Sequence, residues 1–232
     1  MLRAMRVAAL VVGAGRGERL GRGEPKAFVP LAGRPLIAHA LEALVSVAAI
    51  ERVVPVVPAE LCAELDRRLG ALAHHPKLGA PVAGGATRQE SVAAGLASLG
   101  DGFALVAVHD AARPLLRAED AARVVAAATR CGAAILAVPV GDTIKRARGG
   151  AVVETPPRGE LFAAQTPQVF RSEWLREALA KAAAEGRTGT DCAELVEALG
   201  VRVELVEGDP GNLKVTHPAD LERARRALET RA

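Results

Sequence analysis

Four short, nearly continuous apolar runs set at intervals along the chain constrain its fold most. They are Val7-Ala-Ala-Leu-Val-Val12, Arg52-Val-Val-Pro-Val-Val57, Phe103-Ala-Leu-Val-Ala-Val108 and Ala133-Ala-Ile-Leu-Ala-Val138. A strand that is apolar on both faces belongs in a sheet covered on both sides. Helical patterns fill the gaps, from Leu36 to about Val47, from Ala59 to Leu69 and from Arg117 to Arg130. In the second of these, Leu61, Leu65 and Leu69 share one face. Strands alternating with helices predict an α/β, Rossmann-like fold, a mostly parallel sheet with helices on both faces. Ligands of such sheets bind beyond the carboxyl ends of the strands.

Composition removes several function classes. With 50% hydrophobic residues the chain is too apolar to remain a solvated coil. Its formal charge of +3 is spread along the whole length, and aromatics make up 2% with no Tyr, so no nucleic-acid partner is expected. Cys62, Cys131 and Cys192 are far apart and form no CxxC pair, and the five histidines lack metal-ligand spacing. His74 and His75 read as surface residues. The apolar run ending at Val12 is too short for a signal peptide or a membrane span. The expectation is a cytoplasmic protein with no membrane partner and, after Ala232, no fused second enzyme.

One segment breaks the alternation. Thr143 to Arg148, then Gly149-Gly150, then Ala151 to Thr155 reads as a β-hairpin, which Pro156-Pro157 stops. An isolated hairpin is marginal in water, so it is expected to pack on another body. The chain is therefore read as one domain over 1–232 with a projecting β-arm at about 141–158.

The first strand runs into Gly13-Ala-Gly-Arg-Gly-Glu-Arg-Leu-Gly-Arg-Gly-Glu-Pro-Lys26. Glycines let backbone N–H groups wrap an anion closely. A Walker A loop needs Gly-Lys-Ser/Thr, which is absent. A dinucleotide fingerprint needs glycine where Glu18 stands, and an acid after the second strand, which ends in Val56-Val57-Pro58. A plain surface turn explains the glycines but not Arg16, Arg19, Arg22 and Lys26.

Gly13-Ala-Gly-x-Gly-x-Arg-Leu, Pro25-Lys26 and Leu31-x-Gly33-x-Pro35-Leu36 resemble the opening of nucleotidyltransferases that activate sugar or polyol phosphates. Four further stretches follow in order: Gly84-Gly-Ala-Thr-Arg-Gln-Glu-Ser91, His109-Asp-Ala-Ala-Arg-Pro114, Ala164-Gln-Thr-Pro-Gln168 and Asn212-Leu-Lys-Val-Thr216. The ordered set, from about Val7 to the last helix, resembles the 2-C-methyl-D-erythritol 4-phosphate cytidylyltransferase family of non-mevalonate isoprenoid synthesis. One departure is Gly13, where the family usually has alanine, preceded by Val12 where proline is usual.

The resemblance implies a homodimeric, Mg²⁺-dependent enzyme that transfers a cytidylyl group from CTP to methylerythritol phosphate and releases pyrophosphate. The acceptor phosphate, largely dianionic near neutral pH, attacks the α-phosphorus, so the reaction needs positive charge and positioning rather than a general base. Arg19, Lys26 and Lys214 are the implied catalytic residues. Gly13, Ala14, Gly15, Gly17, Gly84, Gly85, Ser91 and Thr190 join these three around CTP. Asp110, Arg113, Thr143, Arg158, Thr166, Thr190 and Lys214 are the implied acceptor contacts, some reaching from a neighbouring subunit, and Asp110 is also the implied metal ligand. His109 is assigned to structure. Thr87 with Glu90, and Asp191 with Glu194, are read as helix capping boxes, the second placing Thr190 at a helix start suited to anions; Pro218 opens a third helix. A ribitol 5-phosphate or other polyol-phosphate cytidylyltransferase, and a catalytically silent nucleotide-binding module, stay as alternatives.

Overall fold

The computed structural model describes residues 5–15 and 24–230. The four apolar runs become β1 (Val7–Val12), β4 (Ile50–Val57), β6 (Leu105–Asp110) and β7 (Ala133–Pro139). Two two-residue strands, β2 (Pro30–Leu31) and β3 (Arg34–Pro35), form a small hairpin between β1 and β4. With β5 (Val82–Ala83), β10 (Phe162–Arg171) and β11 (Glu204–Glu207), the long strands build a seven-stranded sheet in the order β11-β7-β10-β6-β1-β4-β5. Pairing is parallel except at β10, which runs antiparallel to both β6 and β7.

Side-chain alternation along the strands feeds two cores. Val7, Ala9 and Val11 of β1 pack with α1 (Leu36–Val45), α2 (Leu65–Leu69) and α4 (Ala118–Cys131) on one face. Leu10, with Val106 and Val108 of β6, faces α3 (Arg88–Ser98), α5 (Ser172–Ala184) and α6 (Cys192–Glu197) on the other. A third cluster joins Leu31, Leu36, Leu115 and Val215 to Leu221 of α7 (Pro218–Glu229). It anchors the segment that precedes α7 beneath the end of the sheet.

The helix expected over Ala59 to Leu69 is only α in its second half. Ala59–Glu64 is a 3₁₀ turn, and α2 is confined to Leu65–Leu69, stopped at Gly70 with φ 59°. Leu65 and Leu69, one turn apart, are buried, whereas Leu61 is only partly covered. The apolar face is there but too short to hold a full helix.

The hairpin is present as β8 (Arg146–Arg148) and β9 (Ala151–Glu154), with a ladder that begins three residues later than Thr143. Gly149 and Gly150 have φ 57° and 81°, the left-handed pair that a tight I′-type turn requires. Arg146 pairs with Glu154, and Lys145 Nζ donates to Thr155 Oγ1 at 2.9 Å. Every residue of both strands is exposed.

Two features of the sheet fix where chemistry can occur. The chain moves from β1 to β4 on one side and returns to β6 on the other, which opens a crevice between their carboxyl ends. Val12 and Asp110, the last residues of β1 and β6, are register partners there.

Candidate active site

A cleft of about 270 Å³ lies over that crevice. Its lining includes Gly13 and Gly15 after β1, Lys26, Gly85 to Arg88 at the start of α3, Ser91, Asp110 to Ala112 after β6, and Lys214. Three cations therefore face one carboxylate. Two larger grooves, about 410 and 430 Å³, sit by Phe103 at the opposite ends of the strands. They lack the convergence of glycine backbone, cations and strand-end carboxylate, so the smaller cleft is the candidate site.

Asp110 is the centre of the cleft. Its Oδ1 accepts from Arg88 Nε at 2.9 Å, and its Oδ2 is 2.8 Å from Lys214 Nζ. Burial pushes the carboxyl up, but the charges of Arg88 and Lys214 outweigh it and hold it well below the ordinary carboxylate range. Both of its oxygens are thus paired to side-chain cations in this structure. Among the described residues no group of three or more His, Cys, Asp or Glu could hold a metal ion. The Asp110 carboxylate binds side-chain cations.

The sequence does not single out Arg88. Thr87 caps α3 in a reciprocal box, its Oγ1 accepting from Glu90 N while Glu90 Oε2 accepts from Thr87 N, both at 3.1 Å. The box holds the start of α3 and so places Arg88 opposite the end of β6. The capping pattern is legible in the sequence; a contact across 22 residues is not. Gly84 donates to Val57 O at 2.9 Å, and Gly85 N to Ser91 Oγ at 3.2 Å. Ser91, buried, donates in turn to Thr87 O, so its hydroxyl braces the loop.

The glycine loop is described only at its ends. Gly17 and Arg19, with Arg16 and Arg22, lie outside the described residues. Gly13 donates to Val56 O at 2.7 Å, and a Cβ on it would stand 2.8 Å from the Cβ of Ala27 and 3.1 Å from that of Ala111. That crowding accounts for glycine at this position.

Several residues expected at the acceptor make hydrogen bonds within this chain. Thr166 is buried, and its hydroxyl is spent internally: it accepts from Asp110 N at 3.1 Å and donates to His109 Nδ1 at 2.9 Å. The other ring nitrogen, His109 Nε2, donates to Arg113 O at 3.1 Å, which fixes the tautomer. Arg113 spends its fork on backbone, donating to Asn212 O at 2.7 Å and Ala164 O at 3.1 Å. It bolts the segment bearing Lys214 to β10 and is not among the residues lining the cleft. Thr190 is exposed and outside the lining, with its N–H and hydroxyl both donating to Glu194. Because Glu194 turns to Thr190, the second capping box is only half made: Asp191 accepts from Glu194 N. The chain's own carboxylates thus fill that helix start. Thr143 and Arg158 are exposed on the arm, and Arg158 donates to Gly141 O at 2.9 Å. Neither reaches the cleft of its own chain. The box expected at Thr87, and Pro218 as the first residue of α7, are present.

Residues 7–230 match the family described as 2-C-methyl-D-erythritol 4-phosphate cytidylyltransferase. A relative of that name from Rhodococcus opacus is 49% identical over 226 residues, 96% of this chain and 95% of its own length. One from Symbiobacterium thermophilum is 41% identical over 97% of this chain and 94% of its own. The solved 2-C-methyl-D-erythritol 4-phosphate cytidylyltransferase of Thermus thermophilus superimposes with a TM-score of 0.79 at 36% identity, covering 97% of this chain and all of that one.

The buried imidazole predicts a pH dependence of stability. Burial outweighs the opposing pull of Asp110 and lowers His109 to about 4, so the folded ring is neutral near pH 7. Below about pH 6.5 the unfolded chain takes up a proton that the folded chain refuses. Stability is then complete above that pH and falls by about 1.4 kcal/mol per pH unit on the way down to about 4. His39, also lowered chiefly by burial, adds in the same direction. Urea unfolding of His109→Asn and the parent at several pH values isolates the His109 part. The variant is expected to show the shallower slope, and equal slopes would contradict the assignment.

Proposed function

The chain belongs to the 2-C-methyl-D-erythritol 4-phosphate cytidylyltransferase family, and from that premise we propose that it transfers a cytidylyl group from CTP to 2-C-methyl-D-erythritol 4-phosphate. The products are 4-diphosphocytidyl-2-C-methyl-D-erythritol and pyrophosphate, in the non-mevalonate route to isoprenoids. The observation that carries the reading is the cleft in which Lys26, Arg88 and Lys214 meet Asp110 beside the glycine backbone that follows β1.

An acceptor phosphate oxygen attacks the α-phosphorus of CTP, forming the new P–O bond as the bond to the bridging oxygen of pyrophosphate breaks. Two anions must approach, so fixed positive charge lowers the barrier most. Lys26, from the 3₁₀ turn Lys26–Phe28, is assigned to the triphosphate together with Arg19. Lys214 is assigned to the phosphate oxygens nearest the reacting phosphorus, where it holds nucleophile and electrophile together. The backbone at Gly13, Ala14 and Gly15 is assigned to the nucleotide, and Gly84, Gly85 and the Ser91-braced loop to the base. No histidine proton is moved.

We assign Mg²⁺ to CTP itself. The ion is hard, keeps waters and favours phosphate oxygens, whereas the carboxylate of the cleft already holds two cations. In this reading the ion arrives with the nucleotide.

The test of the reading is CTP-dependent pyrophosphate release with methylerythritol phosphate and, separately, ribitol 5-phosphate. Turnover is expected with the first at least tenfold above the second, and Lys26→Ala is expected to lower it about a hundredfold or more. Chelating Mg²⁺ stops release in all cases, while Asp110→Asn leaves the half-saturating Mg²⁺ concentration unchanged. Preference for ribitol 5-phosphate moves the enzyme to another acceptor. No release with either makes the chain a silent binding module.

The chain over 1–232 is taken as one catalytic domain working in the cytoplasm as a homodimer. Ile144, Val152, Val153 and Phe162 are exposed large apolar side chains on the arm and at the start of β10. A second copy of the arm covers them in a two-fold interface and brings Thr143 and Arg158 to the partner's acceptor. Replacing Lys145 to Thr155 with a short turn is expected to give a monomer whose acceptor KM rises at least tenfold while CTP affinity stays within twofold, read by sedimentation and titration on one sample. A fully active monomer would refute the assignment.

A further inference from the structure

The charge balance around Asp110 gives Arg88 a task in this reaction. We propose that Arg88 is a positioning residue that occupies half of the Asp110 carboxylate and so leaves the Lys214 ammonium with charge to spend on substrate phosphate. The proposal rests on the cytidylyl-transfer reading of the same cleft.

Three observations carry it. First, the carboxylate is shared one oxygen to each cation, Oδ1 to Arg88 and Oδ2 to Lys214. The trio holds two positive charges against one negative. Remove Arg88 and Lys214 is left in a one-to-one pair with a buried carboxylate, which neutralises it and draws it back from the cleft.

Second, Arg88 is held in place from both ends. Its backbone opens α3 behind the Thr87–Glu90 box, and its Nη1 lies 3.3 Å from the Sγ of Cys192, the buried first residue of α6. A planar fork holds a carboxylate and a sulfur at two fixed positions, which a compact ammonium on a flexible stem does not. Third, Lys214 is the movable member. Its side chain is 44% exposed on a flexible stem, against 28% for Arg88, although its backbone is pinned by Val215 N donating to Ala112 O at 2.8 Å. Asp110 is likewise fixed, its N–H donating to the hydroxyl of Thr166. A rigid carboxylate with one rigid partner sets the resting place of the second.

The experiment is a double-mutant cycle on the full-length protein, with steady-state kinetics in both substrates and thermal unfolding of every variant, assayed well below its Tm. Arg88→Met is expected to lower kcat at least tenfold and raise the acceptor KM, with the CTP KM within twofold. Arg88→Lys, which restores the ion pair without the fork, recovers most of the acceptor KM. In an Asp110→Asn background the same Arg88→Met change is expected to alter kcat less than threefold, because nothing is left to share. An equal loss in both backgrounds would overturn the proposal. So would a CTP KM raised tenfold, which would make Arg88 a nucleotide contact, or a lowered Tm with unchanged kinetics, which would make it structural. If Arg88→Met does not fold, Arg88→Gln takes its place, with a kcat loss expected only in the background that keeps Asp110. The parent's own activity separates these outcomes from failure of the transfer reading, since an inactive parent removes that reading before any variant is compared.

Discussion

Everything at the cleft depends on a carboxylate buried at the end of a central strand. A lone buried charge costs several kcal/mol and would be neutralised instead. Asp110 stays ionised because α3 sends Arg88 and the segment before α7 sends Lys214, while the Thr166 hydroxyl of β10 accepts from its N–H and fixes its backbone. Those parts are held by the two cores and by the small cluster under α7. The ion pairs are consequences of the fold, which brings their three elements together.

The same network explains why residues with a ligand's chemistry are internal. His109, Thr166, Arg113 and Asn212 form a chain of hydrogen bonds just behind the cleft, including Asn212 Nδ2 donating to Gln165 Oε1 and Thr166 O. Gln168 extends it on the far side, donating to Asp191 at 2.7 Å and accepting from Cys192 N. Buried polar groups of this kind are worth keeping only when they are nearly all satisfied. They give the cations of the cleft a stiff backing, which matters because preorganised charge stabilises a transition state more than mobile charge does.

The fold is largely legible in the sequence because burial on both faces leaves a simple trace. β1, β4, β6 and β7 show as apolar runs, and the arm shows as a break in alternation with a Gly-Gly turn. β10 leaves no such trace: its centre is Gln165, Thr166, Pro167 and Gln168, polar residues that are buried only because the network satisfies them. β11 alternates in exposure at the sheet edge and is equally faint. At the site, glycines, Lys26, Asp110 and Lys214 announce themselves by motif. What motif cannot convey is which donors are already spent. Thr166, Arg113 and Thr190 make hydrogen bonds to other parts of the chain that no motif shows. Arg88 has the reverse history, an ordinary helix-start residue until distance places it on Asp110.

The central claim is that two side-chain cations, acting on a buried strand-end carboxylate, order the charge of this cleft. It is tested most directly by ¹³C NMR titration of the aspartate carboxyls in the full-length protein, with Asp110 assigned by its loss in Asp110→Asn. The account predicts that the Asp110 resonance stays at its ionised position from about pH 7 to about pH 4, while ordinary aspartates have begun to move. A resonance that titrates with a midpoint at or above about 4 would contradict it.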